Sequence, residues 1–376
     1  MDTVHSAWVE VSLGAIRHNV EQVRSVIGDD VRLMAVVKAD AYGHGLTETA
    51  RAMIDAGVNA LAVTRLDEAA ALRSSGIVAP VLVFESIQPE MAADALALDV
   101  DLTVCTPELV TALGSVAAAA CKTIRVHLKV DTGMGRLGVL PGDAAVMARK
   151  IASTEGVEQV GTYMHFATAS EKDLNYARLQ LARFHEAIDG IKLAFLDPGI
   201  VHAANSAAVI RFPESRFDMV RPGTILYGQY PSKYVPRTLD LKDTWRLKAR
   251  ISFIKTVPAG WDIGYGSEYR TNRDSRIAVI PLGWADGLTL IPESVARRSA
   301  IKLAMTRYLH RPAMWIKIRD WRAPVVGRIA MQMCSIDVTD IPEVNVGDEV
   351  LIPSRRVTTN PLIPRVYVEG IGEAGK

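Results

Sequence analysis

A single lysine, Lys38, stands where an apolar run gives way to a turn-rich segment. The run Leu33–Val37 is followed by Lys38 and then by Gly43 and Gly45, a pattern that predicts a buried strand ending at a turn. A lysine at a strand end usually extends its ammonium group into water above an apolar stem. In a partly desolvated pocket its pKa is lowered instead, and the neutral amine can attack an aldehyde. The position of Lys38 leaves both interpretations open.

Other residues that could do chemistry occur in short blocks spread over nearly the whole chain. These blocks are Lys38–Gly45, Asp131–Arg136, His165–Ala167, Ala204–Ser206, Arg221–Gly223 and Gly264–Gly266. In this order they resemble the blocks of the alanine racemases, enzymes of fold type III that carry pyridoxal 5'-phosphate (PLP) on a lysine. One octapeptide would be a moderate signal, but several matches in the same order are specific.

The composition favours a globular enzyme that acts on a small molecule. The chain has 376 residues, 49% of them hydrophobic, and its 43 basic and 42 acidic residues leave a net charge of +1. This balance gives no electrostatic argument for nucleic acid or a membrane surface. Three cysteines outside any CxxC pattern, together with an N-terminus that lacks a signal-peptide pattern, predict a cytoplasmic protein.

Apolar runs alternate with amphipathic stretches over the first two thirds of the chain. The candidate strands are Arg32–Val37, Ala60–Thr64, Val81–Phe84, Asp101–Cys105, Ile124–Val130, Gln159–Met164, Ile200–Ala204 and Met219–Tyr227. Helical periodicity lies between them, so the strands should pair in parallel. Eight such units predict an α/β architecture with an N-terminal (β/α)8 TIM barrel over residues 1–240.

After about Asp240 the helical periodicity thins out and short β-rich runs appear. They are Leu247–Val257, Arg276–Leu282, Met314–Ile318, Pro324–Arg328, Cys334–Val338 and Glu349–Pro353, separated by Gly, Pro and Asp turns. The pattern predicts a C-terminal, mostly β domain over residues 241–376, and the first ten or so residues of the chain could pack with it.

The predicted barrel would gather the conspicuous residues at one end. Residues at the C-terminal ends of barrel strands face a shared mouth. The residues at these ends are Lys38 after the first strand, Arg136 after the fifth, His165 after the sixth, Asn205 and Ser206 after the seventh, and Arg221 and Gly223 within the eighth run. Their order along the chain therefore supports the resemblance independently.

The resemblance implies two catalytic residues. Lys38 matches the lysine that carries PLP and then acts on one face of the substrate Cα, while Tyr265 matches an acid–base residue for the opposite face. In this family the tyrosine comes from the partner subunit of a homodimer. A free tyrosine has a pKa of about 10, so the resemblance also requires a polar partner for it, and the matched residue is His165, itself near Arg221.

The resemblance also implies how the cofactor and substrate are held. Arg221 matches the partner of the PLP ring nitrogen, and the matched phosphate-binding residues are Tyr42, Asn205, Ser206, Gly223 and Thr224. Arg136 and Met331 match substrate-binding residues. Lys129 aligns with a lysine that is carbamylated in some members, although a strand lysine has an ordinary structural explanation too. The sequence shows no His/Cys/Asp cluster, so no metal is expected.

Some positions depart from the family pattern. The usual tyrosine of Gly-Tyr-Ala-Asp-Gly is Trp284, the usual aspartate of Met-Asp-Gln is Gln332, and the tyrosine expected after Asn360 is Pro361. Loss of this carboxylate and tyrosine could weaken phosphate binding and widen the pocket. The segment 288–317 also looks long, with basic residues that a solvated surface would explain.

The resemblance predicts a PLP-dependent alanine racemase that interconverts L- and D-alanine by a two-base mechanism and supplies D-alanine for peptidoglycan. A racemase for serine or for a broader set of amino acids is the alternative that the departures suggest. A non-catalytic PLP-binding barrel is a different class, and Tyr265 and the second domain argue against it. A related decarboxylase would have a cysteine near Tyr265, where this sequence has none.

Overall fold

The computed structural model describes residues 4–290 and 314–371. They form two compact units, one spanning Leu13–Thr244 and the other containing the described residues up to Ser12 and from Trp245 onward. The first strand, β1 (Ala7–Ser12), belongs to the smaller unit. The basic residues predicted to form a solvated face, Arg297, Arg298, Lys302, Arg307 and Arg311, lie outside the described residues.

The described part of the larger unit contains a closed barrel of eight parallel strands, which confirms the predicted (β/α)8 architecture. The strands are β2 (Arg32–Val36), β3 (Ala60–Val63), β4 (Val81–Val83), β5 (Asp101–Val104), β6 (Ile124–Lys129), β7 (Val157–Tyr163), β8 (Ile200–His202) and β9 (Met219–Val220). The barrel closes where Leu33 of β2 pairs with Val220 of β9. Most strand residues are buried, as expected for a parallel sheet covered by helices.

Helices connect the strands and cover the barrel. They are α1 (Leu13–Ile27), α2 (Lys38–Gly43), α3 (Leu46–Asp55), α4 (Leu66–Ser74), α5 (Ala92–Ala97), α6 (Pro107–Ala120), α7 (Ala144–Ala152), α8 (Asn175–Leu193) and α9 (Ser206–Arg211). Helix α1 buries Ile16, Val20 and Val23 along one face, which is the spacing of an amphipathic helix. It is followed by Gly28 at φ +76°, a conformation that glycine adopts readily.

The last barrel strand is shorter than the sequence predicts. The run Met219–Tyr227 was predicted as one strand, but β9 ends at Val220 and Thr224–Tyr227 forms a short 3-10 helix. Pro222 lies in between, and it has no N–H for a strand ladder. The correction matters for the site, because Arg221, Gly223 and Thr224 lie in the connection after the strand and not within it.

The smaller unit is mostly β, as predicted. Its additional strands are β10 (Trp245–Arg250), β11 (Phe253–Val257), β12 (Asp262–Ile263), β13 (Tyr269–Arg270), β14 (Ser275–Ile280), β15 (Trp315–Ile318), β16 (Trp321–Val326), β17 (Cys334–Asp337), β18 (Glu349–Ile352) and β19 (Arg365–Val368). In the described residues the main sheet has the order β11-β14-β17-β16-β15-β18-β10-β1-β19, and β12 pairs with β13. The predicted run Leu247–Val257 is two strands.

The N-terminal strand is integrated into the smaller unit. Strand β1 pairs antiparallel with β10 and parallel with β19. The chain therefore enters the main sheet before it forms the barrel. Over residues 4–290 and 314–371, no helix has the length and apolar character needed to cross a membrane.

Candidate active site

A cavity of about 370 Å³ lies at the C-terminal ends of the barrel strands, within the size range of small-molecule and cofactor sites. Its lining includes the predicted residues Lys38, Tyr42, Lys129, Arg136 and His165. The other predicted barrel residues, Asn205, Ser206, Arg221, Gly223 and Thr224, line it as well. The larger unit thus brings all of its predicted site residues together in one cavity.

Lys38 begins α2, a short segment that differs from the other helices because it winds in the left-handed sense. Ala39, Asp40, Ala41 and Tyr42 have φ values of 53°, 54°, 50° and 56°. The left-handed helical conformation costs an L-residue about 1–2 kcal/mol, so neighbouring groups must hold the turn in place. The turn places the side chains of Lys38 and Tyr42 in the same cavity.

Glu68, a residue that the sequence analysis did not single out, holds the start of this turn. Its Oε1 accepts a 2.6 Å hydrogen bond from the backbone N–H of Ala39. Its Oε2 accepts hydrogen bonds of 2.9 and 3.0 Å from the backbone N–H groups of Thr64 and Arg65. The glutamate is buried and lies at the third position of α4, where a carboxylate often caps a helix. A glutamate at the third position of a helix was the sequence signal that could have identified this residue.

Replacing Glu68 with glutamine should destabilise the turn that carries Lys38. The amide has one acceptor oxygen in place of two, and its NH2 group would face backbone donors. Leaving buried donors unpaired should lower the free energy of unfolding by on the order of 3 kcal/mol, measured by chemical denaturation. Asp67→Asn, at the adjacent exposed carboxylate, is the matched control and should have little effect. Equal losses of unfolding free energy in Glu68→Gln and Asp67→Asn would contradict the role of Glu68 in holding this turn.

The electrostatic surroundings of Lys38 favour a neutral amine. Burial lowers the pKa of Lys38, and the positive charge of Arg136 lowers it further, whereas Glu68 acts in the opposite direction. Arg136 is carried by a loop that Asp131 organises, since Asp131 Oδ1 accepts hydrogen bonds of 2.9, 2.8 and 3.1 Å from the N–H groups of Gly133, Met134 and Gly135. The structure thus favours the nucleophilic interpretation of Lys38.

Arg221 is a buried cation whose side-chain N–H groups donate to defined acceptors. Its side chain donates hydrogen bonds of 2.8 Å to His202 Nδ1 and 2.6 Å to the carbonyl oxygen of Met164. Its guanidinium carbon lies 5.0 Å from the centroid of the Tyr163 ring. Burial lowers the pKa of Arg221 to about 10, so the guanidinium stays charged near neutral pH. Neither His202 nor Tyr163 was identified from the sequence.

Burial also favours the neutral forms of His165 and Lys129. It lowers the pKa of His165 well below the ordinary value, and the charge of Arg221 adds to this effect. Burial likewise lowers the pKa of Lys129 strongly, again with Arg221 as the next cause. The Lys129 Nζ donates to the carbonyl oxygen of Val130 at 3.4 Å. Burial and the charge of Arg221 thus act in the same direction on both nitrogen groups and lower their pKa values.

Hydroxyl and backbone groups lie close together in the cavity lining around Gly223. The N–H of Gly223 donates a 2.9 Å hydrogen bond to Ser206 Oγ. A Cβ atom at residue 223 would lie 2.5 Å from the Tyr42 hydroxyl oxygen, so a larger residue there would displace the Tyr42 side chain. Asn205 caps α9 by accepting 3.1 Å hydrogen bonds from the N–H groups of Ala207 and Ala208, which is its ordinary structural role.

The remaining two predicted site residues belong to the smaller unit. Tyr265 begins a short turn between Gly264 and Gly266, and its side chain is 69% exposed. Met331 is 57% exposed. Both side chains are large and largely accessible, although most residues of these types are buried or half-buried in globular proteins.

Comparisons with known proteins cover both units. Residues 11–231 match the sequence model for the alanine racemase N-terminal domain, and residues 244–363 match that for the alanine racemase C-terminal domain. The chain belongs to the alanine racemase family. The match includes the second domain, so it extends beyond a PLP-binding barrel alone.

Individual alanine racemases agree with this chain over nearly its full length. The enzyme of Desulfovibrio desulfuricans is 39% identical over 381 residues, with 96% of this chain and 98% of the relative covered. The enzyme of Desulforamulus reducens is 40% identical over 347 residues, with coverages of 92% and 89%. Alanine racemase from Clostridium difficile 630 has a TM-score of 0.89 at 30% identity, covering 98% and 97% of the two chains. The Bacillus anthracis structure with bound L-Ala-P has a TM-score of 0.86 at 31% identity, covering 99% and 98%.

Alanine racemases depend on PLP, and the donor set of the barrel cavity fits this cofactor. PLP presents an aldehyde, a ring nitrogen and a phosphate. The cavity offers a lysine amine with a lowered pKa, a charged guanidinium, and the hydroxyl groups of Tyr42, Ser206 and Thr224. The space that a Cβ at residue 223 would fill lies beside one of these hydroxyls. Each reactive part of PLP therefore has a chemically suitable partner.

The positions that depart from the alanine racemase pattern lie in the smaller unit. Trp284 is 48% exposed and begins a short turn that ends at Asp286. The loop that contains Pro361 contacts this turn, because Asn360 Nδ2 donates to the carbonyl oxygen of Ala285 at 3.4 Å. Gln332 is also exposed. Two of the departures, Trp284 and Pro361, thus lie in neighbouring loops.

Proposed function

We propose that this chain interconverts L- and D-alanine, with PLP held in the barrel cavity by Lys38. The observation that carries the proposal is the lysine amine, whose pKa is lowered by burial and by Arg136, in a cavity that also contains Arg221. The names of the relatives support alanine as the substrate. D-alanine supply for peptidoglycan is the corresponding cellular role, in the cytoplasm.

The proposed mechanism uses two proton-transfer groups. When bound, PLP supplies an aldehyde for covalent attachment and a conjugated ring that withdraws electrons from the substrate Cα. On one face, the Nζ of Lys38 would accept the Cα proton as a neutral amine or return a proton as an ammonium group. On the opposite face, the phenolic oxygen of Tyr265 would accept the proton as a phenolate or return one as a hydroxyl, with the imidazole of His165 as its polar partner. Inversion at Cα requires groups on both faces.

The other cavity residues bind and orient. When PLP is bound, Arg221 would donate to its ring nitrogen and, because the guanidinium stays charged, would keep its proton. The phosphate would be held through hydroxyl and amide groups by Tyr42, Asn205, Ser206, Gly223 and Thr224. Arg136 binds the substrate carboxylate or the cofactor's phenolic oxygen, and Met331 contacts the substrate.

Lys129 is proposed to react with carbon dioxide and form a carbamate. The neutral amine is the form that attacks carbon dioxide, and the lowered pKa of Lys129 favours that form. A C–N bond forms as one C=O bond of carbon dioxide opens, the neutral amine loses one proton to water, and the product is an anion that can accept hydrogen bonds from Arg136. Carbon-13 NMR of protein equilibrated with labelled carbon dioxide tests this, and a spectrum without a carbamate signal would contradict it.

The active enzyme is proposed to be a homodimer in which Tyr265 acts in the partner's site. Tyr265, Trp284 and Met331 are 69%, 48% and 57% exposed, and large accessible side chains of this kind are typical of contact surfaces. Sedimentation equilibrium measures the oligomeric state, and a monomer with full activity would contradict this arrangement.

The decisive experiment incubates the PLP-loaded protein with L-alanine in deuterated water. We expect deuterium at Cα of recovered alanine and formation of D-alanine, followed by NMR and chiral chromatography. A sample heated to unfold the protein is the control. Retention of the Cα hydrogen without D-alanine would exclude the proposed reaction.

A broader amino-acid racemase is the second candidate, favoured by Gln332 and Pro361. Pro361 replaces a tyrosine that narrows the entrance in the family pattern. A comparison of kcat/KM for alanine, serine and lysine distinguishes the candidates, since one methylene is usually discriminated by only about 1–3 kcal/mol. A kcat/KM for serine equal to or above that for alanine would favour the second candidate.

A further inference from the structure

A column of buried polar side chains runs through the inside of the barrel from Arg221. His202 lies at the end of β8, His127 in β6, and Asp101 at the start of β5. His202 is 0%, His127 2% and Asp101 9% exposed. Such positions are usually filled by branched apolar residues, and buried polar groups are costly unless they are paired.

The atoms of the column are within hydrogen-bonding distance at its upper two links. Arg221 donates to His202 Nδ1 at 2.8 Å. His202 Nε2 lies 2.9 Å from His127 Nδ1. At the third link His127 Nε2 lies 3.6 Å from Asp101 Oδ2, an electrostatic contact slightly longer than a hydrogen bond. Asp101 Oδ1 accepts a 2.6 Å hydrogen bond from Arg125 Nε.

The chemistry of arginine fixes the direction of every link. A guanidinium only donates, so Nδ1 of His202 must carry a lone pair, and the proton of a neutral His202 is on Nε2. That N–H donates to Nδ1 of His127, which therefore carries its own proton on Nε2, facing Asp101. Burial lowers the pKa of His202 well below its ordinary value, with the charge of Arg221 as the next cause, so the imidazole is neutral.

The local backbone is shaped to admit the His127 ring. The pairing of β6 with β7 shifts register between Val126 and His127, an irregularity of the kind that redirects a side chain. On the neighbouring strand, a Cβ atom at Gly161 would lie 2.3 Å from His127 Nδ1. Only glycine at residue 161 leaves room for the ring where it meets His202.

Among the described residues, Arg221 has no carboxylate among its hydrogen-bond or ion-pair partners. A buried cation without a counter-charge is strongly unfavourable. Asp101 is the carboxylate at the far end of the column. Burial by itself would raise the pKa of Asp101, but His127 and Arg125 lower it overall, so Asp101 remains an anion.

We propose that His202, His127 and Asp101 are positioning residues that supply Arg221 with a remote counter-charge and keep its guanidinium fixed at the cavity. The Asp101 carboxylate polarises His127, His127 in turn polarises His202, and each imidazole presents a stronger acceptor to the preceding residue of the column. This relay, the column from Arg221 through His202 and His127 to Asp101, acts on Arg221 alone and does not contact the reacting atoms. Its effect on catalysis rests on the proposed function, whereas its proton positions do not.

Neutron diffraction of the PLP-loaded wild-type protein tests the direction of the relay. We expect one deuteron on Nε2 and none on Nδ1 in both His202 and His127. A deuteron on Nδ1 of His202, or on both nitrogens of either ring, would overturn the proposal without any substitution.

A double-mutant cycle tests whether Asp101 acts on Arg221. Asp101→Asn should raise the unfolding equilibrium constant in both backgrounds, measured with excess PLP. The increase in the wild-type background should be at least about three times the increase in the Arg221→Gln background. The matched control is Asp99→Asn. Asp99 pairs with the same Arg125 at 3.0 Å through a 79% exposed side chain, and its effect should be equal in both backgrounds. Equal factors for Asp101→Asn in the two backgrounds would overturn the counter-charge.

The catalytic consequence is measured separately. Asp101→Asn should lower kcat for alanine about ten-fold, on the scale of one charged hydrogen bond, with little change in KM, and Asp99→Asn should change neither. Equal kcat values in the two variants would overturn the positioning role. If the wild type does not racemise alanine, the proposed function is wrong. The proton positions and the double-mutant cycle still test whether Asp101 acts on Arg221 through the two histidines.

Discussion

Replacing Lys38 with alanine should abolish both the visible absorbance of protein-bound PLP and the racemisation of alanine. The two losses have one cause, because the same amine attaches the cofactor and transfers a proton at Cα. Loss of a nucleophile and acid–base group should lower kcat by at least about 10³-fold. Spectrophotometry and chiral analysis on the same sample measure both effects.

The matched control for this variant is Lys172→Ala. Lys172 is exposed and lies in the larger unit, so its replacement should change neither the absorbance nor the rate. Borohydride treatment of the wild type followed by peptide mapping adds a direct test, since the cofactor should be recovered on the peptide that contains Lys38. Recovery on the peptide of Lys129, the other cavity lysine with a lowered pKa, would contradict the assignment.

The sequence predicts the gathering of the barrel residues well, for a simple geometric reason. A parallel barrel places the C-terminal ends of all its strands at one mouth. Lys38, Arg136 and His165 follow different predicted strands, and the structure places them in one cavity. Errors of a few residues in the strand ends, as at Met219–Tyr227, do not change which end of the strand a residue follows.

The sequence does not predict the backbone that holds Lys38. Four successive non-glycine residues in the left-handed conformation, Ala39–Tyr42, contradict local propensity. The start of this turn is bound by Glu68, whose carboxylate accepts hydrogen bonds from backbone N–H groups after two neighbouring strands, β2 and β3. Tertiary hydrogen bonds of this kind have no periodic signal along the chain.

The buried column is invisible to sequence analysis for a related reason. His127 and His202 meet although 75 positions separate them. His202 looks like an isolated polar residue after an apolar run, and His127 looks like one of several polar residues that alternate with apolar ones in its strand. An isolated histidine of this kind has no assigned partner until the register of the barrel is known. The relay therefore follows from the structure alone, whereas the match of Arg221 to the cofactor was available from the sequence.

The two proposed catalytic residues differ in their structural surroundings. The cavity surrounds Lys38 with groups that adjust its pKa. Tyr265 belongs to the other unit, and its assignment rests on the Gly264–Gly266 motif. Racemisation is therefore tested by experiments on Tyr265, because attachment of PLP to a lysine is common to enzymes that catalyse many different reactions.

Replacing Tyr265 with alanine should leave the absorbance of protein-bound PLP intact and remove chiefly one direction of proton transfer. Because only one face of Cα loses its acid–base group, racemisation should fall by about 10²–10⁴-fold. In deuterated water one enantiomer should still exchange its Cα hydrogen through Lys38, while the other should exchange slowly. NMR of each enantiomer, with chiral analysis of the products, measures this asymmetry.

Two comparisons decide whether the asymmetry belongs to the hydroxyl of Tyr265. Tyr265→Phe should behave like Tyr265→Ala, because both lack the phenolic oxygen. Tyr269→Phe, at a half-buried tyrosine on the neighbouring strand β13, should keep the wild-type rate and exchange pattern. If Tyr265→Ala lost the cofactor absorbance as Lys38→Ala does, or if both enantiomers still exchanged equally fast, the two-base assignment would be mistaken. A racemase needs both faces, so the pair of residues, and not the lysine alone, must account for the reaction.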